Sequence, residues 1–238
     1  MPADLIDSTT LIRVMDNILK VMTVNEGYLT RLDAEIGDAD HGINMVRGFT
    51  LVHERISSLV DPDIEIILST AGMALMEGAG GSSGILYGTF FAQGGRPLHG
   101  KKGIDKRDLA LLFSSGYAAM QEMSGETKLG EKTMIDALEP AVRSLNESAG
   151  DDRVTLGGAL YRAVGAARKG MEGTIGLVAT KGRAAYLGER SVGHQDIGAT
   201  TTYLMLRTML ETFNGRTGVR VTRYGTDGMI LEEENLQQ

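Results

Sequence analysis

The chain has 238 residues, a formal net charge of −7, 42% hydrophobic and 23% charged residues. It is long enough to bury a sizeable core, and its acidic balance excludes a surface built for nucleic acid or anionic membrane, which needs concentrated Lys and Arg. It holds no cysteine, which removes disulfides, thiolate metal sites and thiol catalysis together.

The opening segment, MPADLIDSTT, lacks the basic stretch and apolar core of a signal peptide. No apolar run approaches the ~20 residues of a membrane span, so a cytoplasmic setting is expected. Ser8 and Thr9 are candidate N-caps for a first helix, whose Leu11, Met15, Ile18 and Met22 share one face. Next comes DAEIGDADHGIN, where Asp33, Asp38 and Asp40 crowd together with Gly37 and Gly42 and no lysine or arginine. Confined carboxylates raise one another's pKa unless a cation shares them. A hard divalent ion such as Mg²⁺ takes carboxylate oxygens together with phosphate oxygens of a nucleotide. The spacing does not fit one helical face and predicts a loop after the first helix. Turn aspartates on a solvated loop are the other reading that these residues allow. An EF-hand fits poorly, because Phe49 stands where the closing glutamate belongs.

Val46, Phe49, His53 and Ile56 predict a second helix, and Ile64, Ile67, Ala71 and Ala74 a third. GAGGSSG, residues 78–84, then precedes a fourth stripe at Leu86, Phe90 and Gln93. Its amides can line the mouth of the following helix and bind phosphate, with Ser82 and Ser83 adding hydroxyls; a tight helix–helix turn is the alternative. A fifth helix is read over Leu109–Met123. GETKLGEKT after it nearly spells a P-loop, but Glu131 intrudes before Lys132 and a helix rather than a strand precedes, so the P-loop is rejected. Helices at Met134–Leu145 and Val154–Ala167 lead to KGRAAYLGERSVGHQDIGAT. There Arg183 is a candidate phosphate cation, His194 reads as a packing histidine, and Asp196, Ile197 and Gly198 open a last helix over Thr200–Phe213. No Ser/His/Asp or Cys/His nucleophile is visible, and no general base, so no catalytic side chain is assigned. No alternating strand stands out before residue 215. The expectation is all-α: one bundle or barrel of seven or eight helices over residues 1–213. Residues 214–238 form an extension in which Val219, Val221 and Tyr224 alternate before a Thr-Asp-Gly turn. It reads as a hairpin, an arm on a neighbour, or disorder.

DAEIGDADHGINMVRGF, GGSSGILYGTFF, GEKTMIDALEP and KGRAAYLGERSVGHQDIGATT, in this order, resemble the nucleotide-binding L subunit of dihydroxyacetone kinases over most of the chain. The resemblance implies an up-and-down barrel of eight helices that binds ADP or ATP and two Mg²⁺ ions at one end. It places the magnesium carboxylates on Asp33, Asp38 and Asp40, and sets His41, Gly42, Ile43 and Asn44 against nucleotide and phosphates. Ser82 and Ser83 fall on the phosphate loop, Gly125 and Met134 around the nucleoside, and Arg183 on a phosphate. Asp196, Ile197 and Gly198 match a last nucleotide-contacting turn, although a proline is common where Ile197 stands, which loosens that turn. The implied activity is phosphoryl transfer from Mg-bound nucleotide to a short-chain ketose held on a separate K subunit. ADP would be retained as cofactor and recharged by a phosphotransferase-system protein. The alternatives are a freely ATP-exchanging kinase subunit for a triose or a tetrose such as erythrulose, and a non-catalytic nucleotide sensor for a transcription regulator. A homodimer or hetero-oligomer is implied, with no nucleic acid and no membrane among the partners.

Overall fold

The computed structural model describes residues 4–215 in full and residues 219–224 and 230–236 by their backbone. Among them are eight α-helices: α1 (Ser8–Ile36), α2 (His41–Ser57), α3 (Ile64–Gly78), α4 (Gly81–Gly95), α5 (Lys106–Ser124), α6 (Ile135–Ala149), α7 (Leu156–Gly173) and α8 (Ile197–Phe213). Each packs on its neighbour in the chain, and α8 closes the ring by packing on α1. Neighbouring helices run antiparallel, joined by short connections from α1 to α4 and from α6 to α7 and by longer ones elsewhere, the longest over residues 174–196, so the ring is an up-and-down barrel. The odd-numbered helices begin at one end of it and the even-numbered helices at the other.

Helical periodicity explains the interior. Leu11, Met15, Ile18 and Met22 of α1 are buried as expected. On α2 the buried face is Met45, Phe49, Val52 and Ile56. His53 therefore leaves its expected stripe; it faces outward, with Nδ1 2.8 Å from Asp16 on α1. Methionine fills the irregular space between layers at Met45, Met120, Met205 and Met209. α8 is buried on nearly every face. Its hydroxyls stay satisfied because Thr200, Thr208 and Thr212 donate to the carbonyls of Asp196, Leu204 and Thr208.

The odd-numbered helices cap themselves. Asp7 accepts the N–H of Thr10, Asp63 that of Ile66 and Thr155 that of Gly158. Asp105 and Asp108 form a reciprocal capping box on α5. The connection from α4 to α5 folds over this end, where the N–H groups of Ser8 and Ile64 donate to Lys102 and Lys101. It also carries a short antiparallel ladder, β1 (Ile6–Asp7) with β2 (Gly103–Ile104). The expectation of no strand before residue 215 is thus corrected: two residues per strand leave no alternation to read. β3 (Val219–Tyr224) and β4 (Ile230–Leu236) form a hairpin, with Val219 opposite Leu236. Of the three readings of the extension the hairpin is the one observed; its Thr-Asp-Gly turn lies outside the described residues. No helix of the described residues is long and apolar enough to cross a membrane.

Candidate functional site

The aspartate cluster forms at the junction of α1 and α2. Asp33 is not in the loop, as its spacing suggested, but in the last turn of α1, where it is buried. Its Oδ2 accepts the N–H groups of Asp40 at 2.8 Å and His41 at 3.0 Å, which folds the junction back onto the helix. Gly37 permits that fold, since a Cβ there would lie 1.9 Å from Asp33 Oδ1. Ala39 takes a left-handed conformation, φ 63, between Asp38 and Asp40. One carboxylate oxygen from each of Asp33, Asp38 and Asp40 lies within 4.8 Å of the others. Burial pushes the Asp38 carboxyl above its ordinary range, the charges of Asp40 and Asp33 add to the effect, and Arg183 opposes it. Arg183 forms an ion pair with Asp38. Three converging oxygen donors with mutual repulsion fit a hard divalent cation and no soft one.

Facing these carboxylates, α4 has an N-terminus without a side-chain acceptor, whereas the first amide of α2, the His41 N–H, is already taken by Asp33. Asp40 precedes α2 and Gly80 precedes α4, yet neither supplies a side-chain cap. Gly80 and Gly81 are both left-handed, φ 66 and 61, which turns the chain directly into α4 with Ser82 and Ser83 in its first turn. Free amides and the helix dipole make this a site for an anion. Behind it, Arg47 donates to the Gly78 carbonyl at 2.5 Å and to Asn44 Oδ1 at 3.0 Å, tying α2 to the end of α3. His41 joins three helices: Nε2 is 2.9 Å from Thr201 Oγ1 and Nδ1 3.4 Å from Ser83 Oγ. Its burial pulls the imidazole down to about 4 against the pull of Asp33 and Asp40, leaving it neutral at pH 7.

These groups open on one cavity of about 640 Å³, within the range of small-molecule and cofactor sites. Asp33, Asp38, Asp40, His41, Asn44, Ser82 and Ser83 line one side. Met134, Arg183 and Asp196 line it from the connections before α6 and α8, and Ile197 and Gly198 from the first turn of α8. Apolar side chains of Ile85, Leu86, Met120 and Met123 complete the wall. Asp196 is the buried N-cap of α8 and accepts the Ala199 N–H at 2.7 Å, so the turn forms with isoleucine in place of proline at the first helical position.

Three expected residues lie outside this lining. Gly42 is buried in the α1–α2 contact, where a Cβ would come within 2.3 Å of the Glu26 carbonyl. Ile43 is half-exposed on the outer face of α2. Gly125 is the left-handed C-cap of α5; capping glycines and ligand-loop glycines look alike in a sequence. His194 is half-buried, with Nδ1 2.9 Å from Glu35 Oε2. The largest omission is Lys132, set aside with the P-loop, which is buried and lines the cavity.

The profile of the DAK2 domain matches residues 35–211. The chain is 41% identical to the PEP-dependent dihydroxyacetone kinase, ADP-binding subunit DhaL, of Escherichia coli K12, over 79% of this chain and 88% of that one. It is 38% identical to the PEP-dependent dihydroxyacetone kinase 2, ADP-binding subunit DhaL, of Listeria innocua, over 86% of this chain and 94% of that one. Among solved structures, the dihydroxyacetone kinase from C. freundii in complex with AMP-PNP and Mg²⁺ superposes with a TM-score of 0.65 at 25% identity. The match covers 84% of this chain and 33% of that one, so the chain spans a third of that kinase.

Proposed function

The chain belongs to the DAK2 domain family, and from that premise we propose that it is the nucleotide-binding subunit of a dihydroxyacetone kinase. It would pass a phosphoryl group from Mg-bound nucleotide to a short-chain ketose held on a separate K subunit. ADP would stay bound and be recharged by a phosphotransferase-system protein. The observation that carries this reading is the opposition of three carboxylates to the uncapped N-terminus of α4 across one cavity. Carboxylates and a polyphosphate repel each other unless divalent cations lie between them, and a site holding both suits a metal–nucleotide complex. The names of the bacterial relatives, ADP-binding subunits of PEP-dependent kinases, support the retained cofactor. The relatives it covers over most of their length are named as separate ADP-binding subunits, which supports a ketose site on another polypeptide.

Within that reading Asp33, Asp38 and Asp40 would hold two Mg²⁺ ions. The ions, when bound, neutralise charge that develops on the transferring phosphoryl group. The protein's own part is positioning. The first-turn amides of α4 with Ser82 and Ser83 donate to phosphate oxygens, Arg47 and His41 fix that loop from behind, Asn44 faces the phosphates from α2, and Arg183 adds a cation. Met134, Ile197 and Gly198 flank the nucleoside, and the apolar wall keeps water from it. The purified protein is expected to carry ADP through prolonged dialysis and to become phosphorylated on that ADP by a PEP-driven phosphotransferase system. Fast exchange with free ATP, together with turnover on ATP alone, would refute the retained cofactor and favour the exchanging kinase.

A further inference from the structure

The positioning just described does not use Lys132, a buried lysine whose ammonium is held by main-chain carbonyls. The side chain is 1% exposed, and a buried ammonium is costly unless its donors are taken. Nζ donates to two main-chain carbonyls, Thr174 at 2.6 Å and His194 at 2.5 Å. These lie 42 and 62 residues further along the chain. The backbone at Lys132 is left-handed, φ 62, a conformation that residues with a Cβ rarely adopt.

The neighbourhood is arranged around that cation. The Asp136 carboxylate accepts the N–H groups of Gly130 at 2.6 Å and Thr133 at 2.7 Å, which curls the loop before α6 about Lys132. The Asp196 N–H donates to Thr174 Oγ1 at 3.0 Å, and the Gly193 N–H to the Ile175 carbonyl at 2.8 Å. Burial lowers the ammonium pKa, while the charges of Asp196 and Asp136 hold it up. The lysine therefore sits where the loop 125–134 meets both ends of the 174–196 segment. The first of these carries Met134 and the second carries Arg183 and Asp196, the two edges of the wall that faces the carboxylates.

We propose that Lys132 is a positioning residue for the nucleotide: its buried ammonium clamps the 125–134 loop to the 174–196 segment and so sets the opening between Met134 and Arg183. The inference rests on the reading of the cavity as a nucleotide site. The resemblance to a P-loop lysine is thus misleading in an informative way, because two of the three ammonium donors are committed to carbonyls of the protein. Those carbonyls need a charge-assisted donor that reaches both at once, and an apolar side chain of equal length leaves them orphaned.

The test compares the full chain with Lys132→Arg and Lys132→Met. Hydrogen exchange is measured without nucleotide, and Mg-ADP affinity by calorimetry. In Lys132→Met, amide exchange should rise at least tenfold in residues 125–134 and 174–196 while α1–α4 keep their protection. Mg-ADP should bind at least tenfold more weakly, with Lys132→Arg between the two. Unchanged exchange in those segments overturns the clamp. So does loosening spread evenly through α1–α4, or a Met variant that binds as tightly as the Arg variant, since volume rather than charge would then hold the wall. Should the parent itself fail to bind Mg-ADP, the reading of the cavity fails, and the exchange comparison still decides on the clamp.

Discussion

The two ends of the barrel are built from the same parts and finished differently. Each gathers four helix N-termini, with the same dipoles and the same unsatisfied amides. At the odd end Asp7, Asp63, Asp105 and Thr155 each cap their own helix. At the even end only Asp196 does so; the residues before α2, α4 and α6 give no such bond. A missing cap forgoes roughly 1 kcal/mol. One end is thus capped helix by helix; at the other the first amides of α2 and α6 go to Asp33 and Thr133, and α4 presents its N-terminus without a side-chain acceptor beside a cavity lined by three carboxylates.

The largest expected effect breaks the even end alone. Asp38→Asn removes one of the charges proposed to hold Mg²⁺ and leaves the main-chain hydrogen bonds of the junction, which Asp33 rather than Asp38 accepts. Mg-nucleotide affinity measured by calorimetry should fall by at least ~100-fold, or about 2.7 kcal/mol. The nucleotide-free protein should melt within a few degrees of the parent, because the lost ion pair with Arg183 is offset by relief of repulsion from Asp40 and Asp33. Binding at the parental level would remove Asp38 from the metal site.

The same contrast separates what could be read in the sequence from what could not. The helices follow from apolar residues at helical spacing, because the ring buries one stripe of nearly every helix; on α4 the buried face is Tyr87, Phe90, Phe91 and Gly94, so of its expected stripe only Phe90 is buried. The carboxylate cluster is legible because its members lie within eight residues of one another. Capping is not. Asp40 and Asp63 both precede a helix, and only geometry shows that Asp63 caps while Asp40 does not. Lys132 is harder still, since its partners are main-chain carbonyls far along the chain, and a carbonyl carries no residue-type signal. Gly125 is ambiguous for the converse reason: a glycine that ends a helix has the same letter as one that approaches a ligand.

A smaller effect sharpens the comparison between the aspartate caps. Burial pushes the Asp196 carboxyl up to about 7, against donation from Ala199 and with the charge of Asp136 adding to the rise. Asp63 feels burial too, but donation from Ile66 and Gly100 with the charges of His99 and Lys102 outweighs it and holds the group below its ordinary range. The consequences have opposite signs. The folded protein binds the Asp196 proton more tightly than the unfolded chain, so that contribution to stability is present below pH ~4 and is lost as pH rises through 7, a few kcal/mol at most. The Asp63 contribution is present above its unfolded value and is lost as pH falls. Carbon-13 titration of the carboxyl groups should give Asp196 a midpoint near 7. A midpoint near 4, the ordinary aspartate value, would show that its surroundings are wetter than the fold implies.

The smallest effect belongs to the odd end and serves as the mirror experiment. Asp63 satisfies two amides, Ile66 and Gly100, both at 2.8 Å, so it caps α3 and anchors the connection over that end. Asp63→Ala orphans both donors and should lower stability by about 1–2 kcal/mol, read as a shift in the urea midpoint with an unchanged slope. Nucleotide affinity should stay within twofold of the parent, because the lost cap lies at the far end of the barrel from the cavity. If affinity fell in step with stability, the two ends would be energetically coupled, and open and closed caps would no longer mark separate tasks. If stability did not change, water would be serving those amides as well as the carboxylate does, and the self-capped end would owe its rigidity to packing alone.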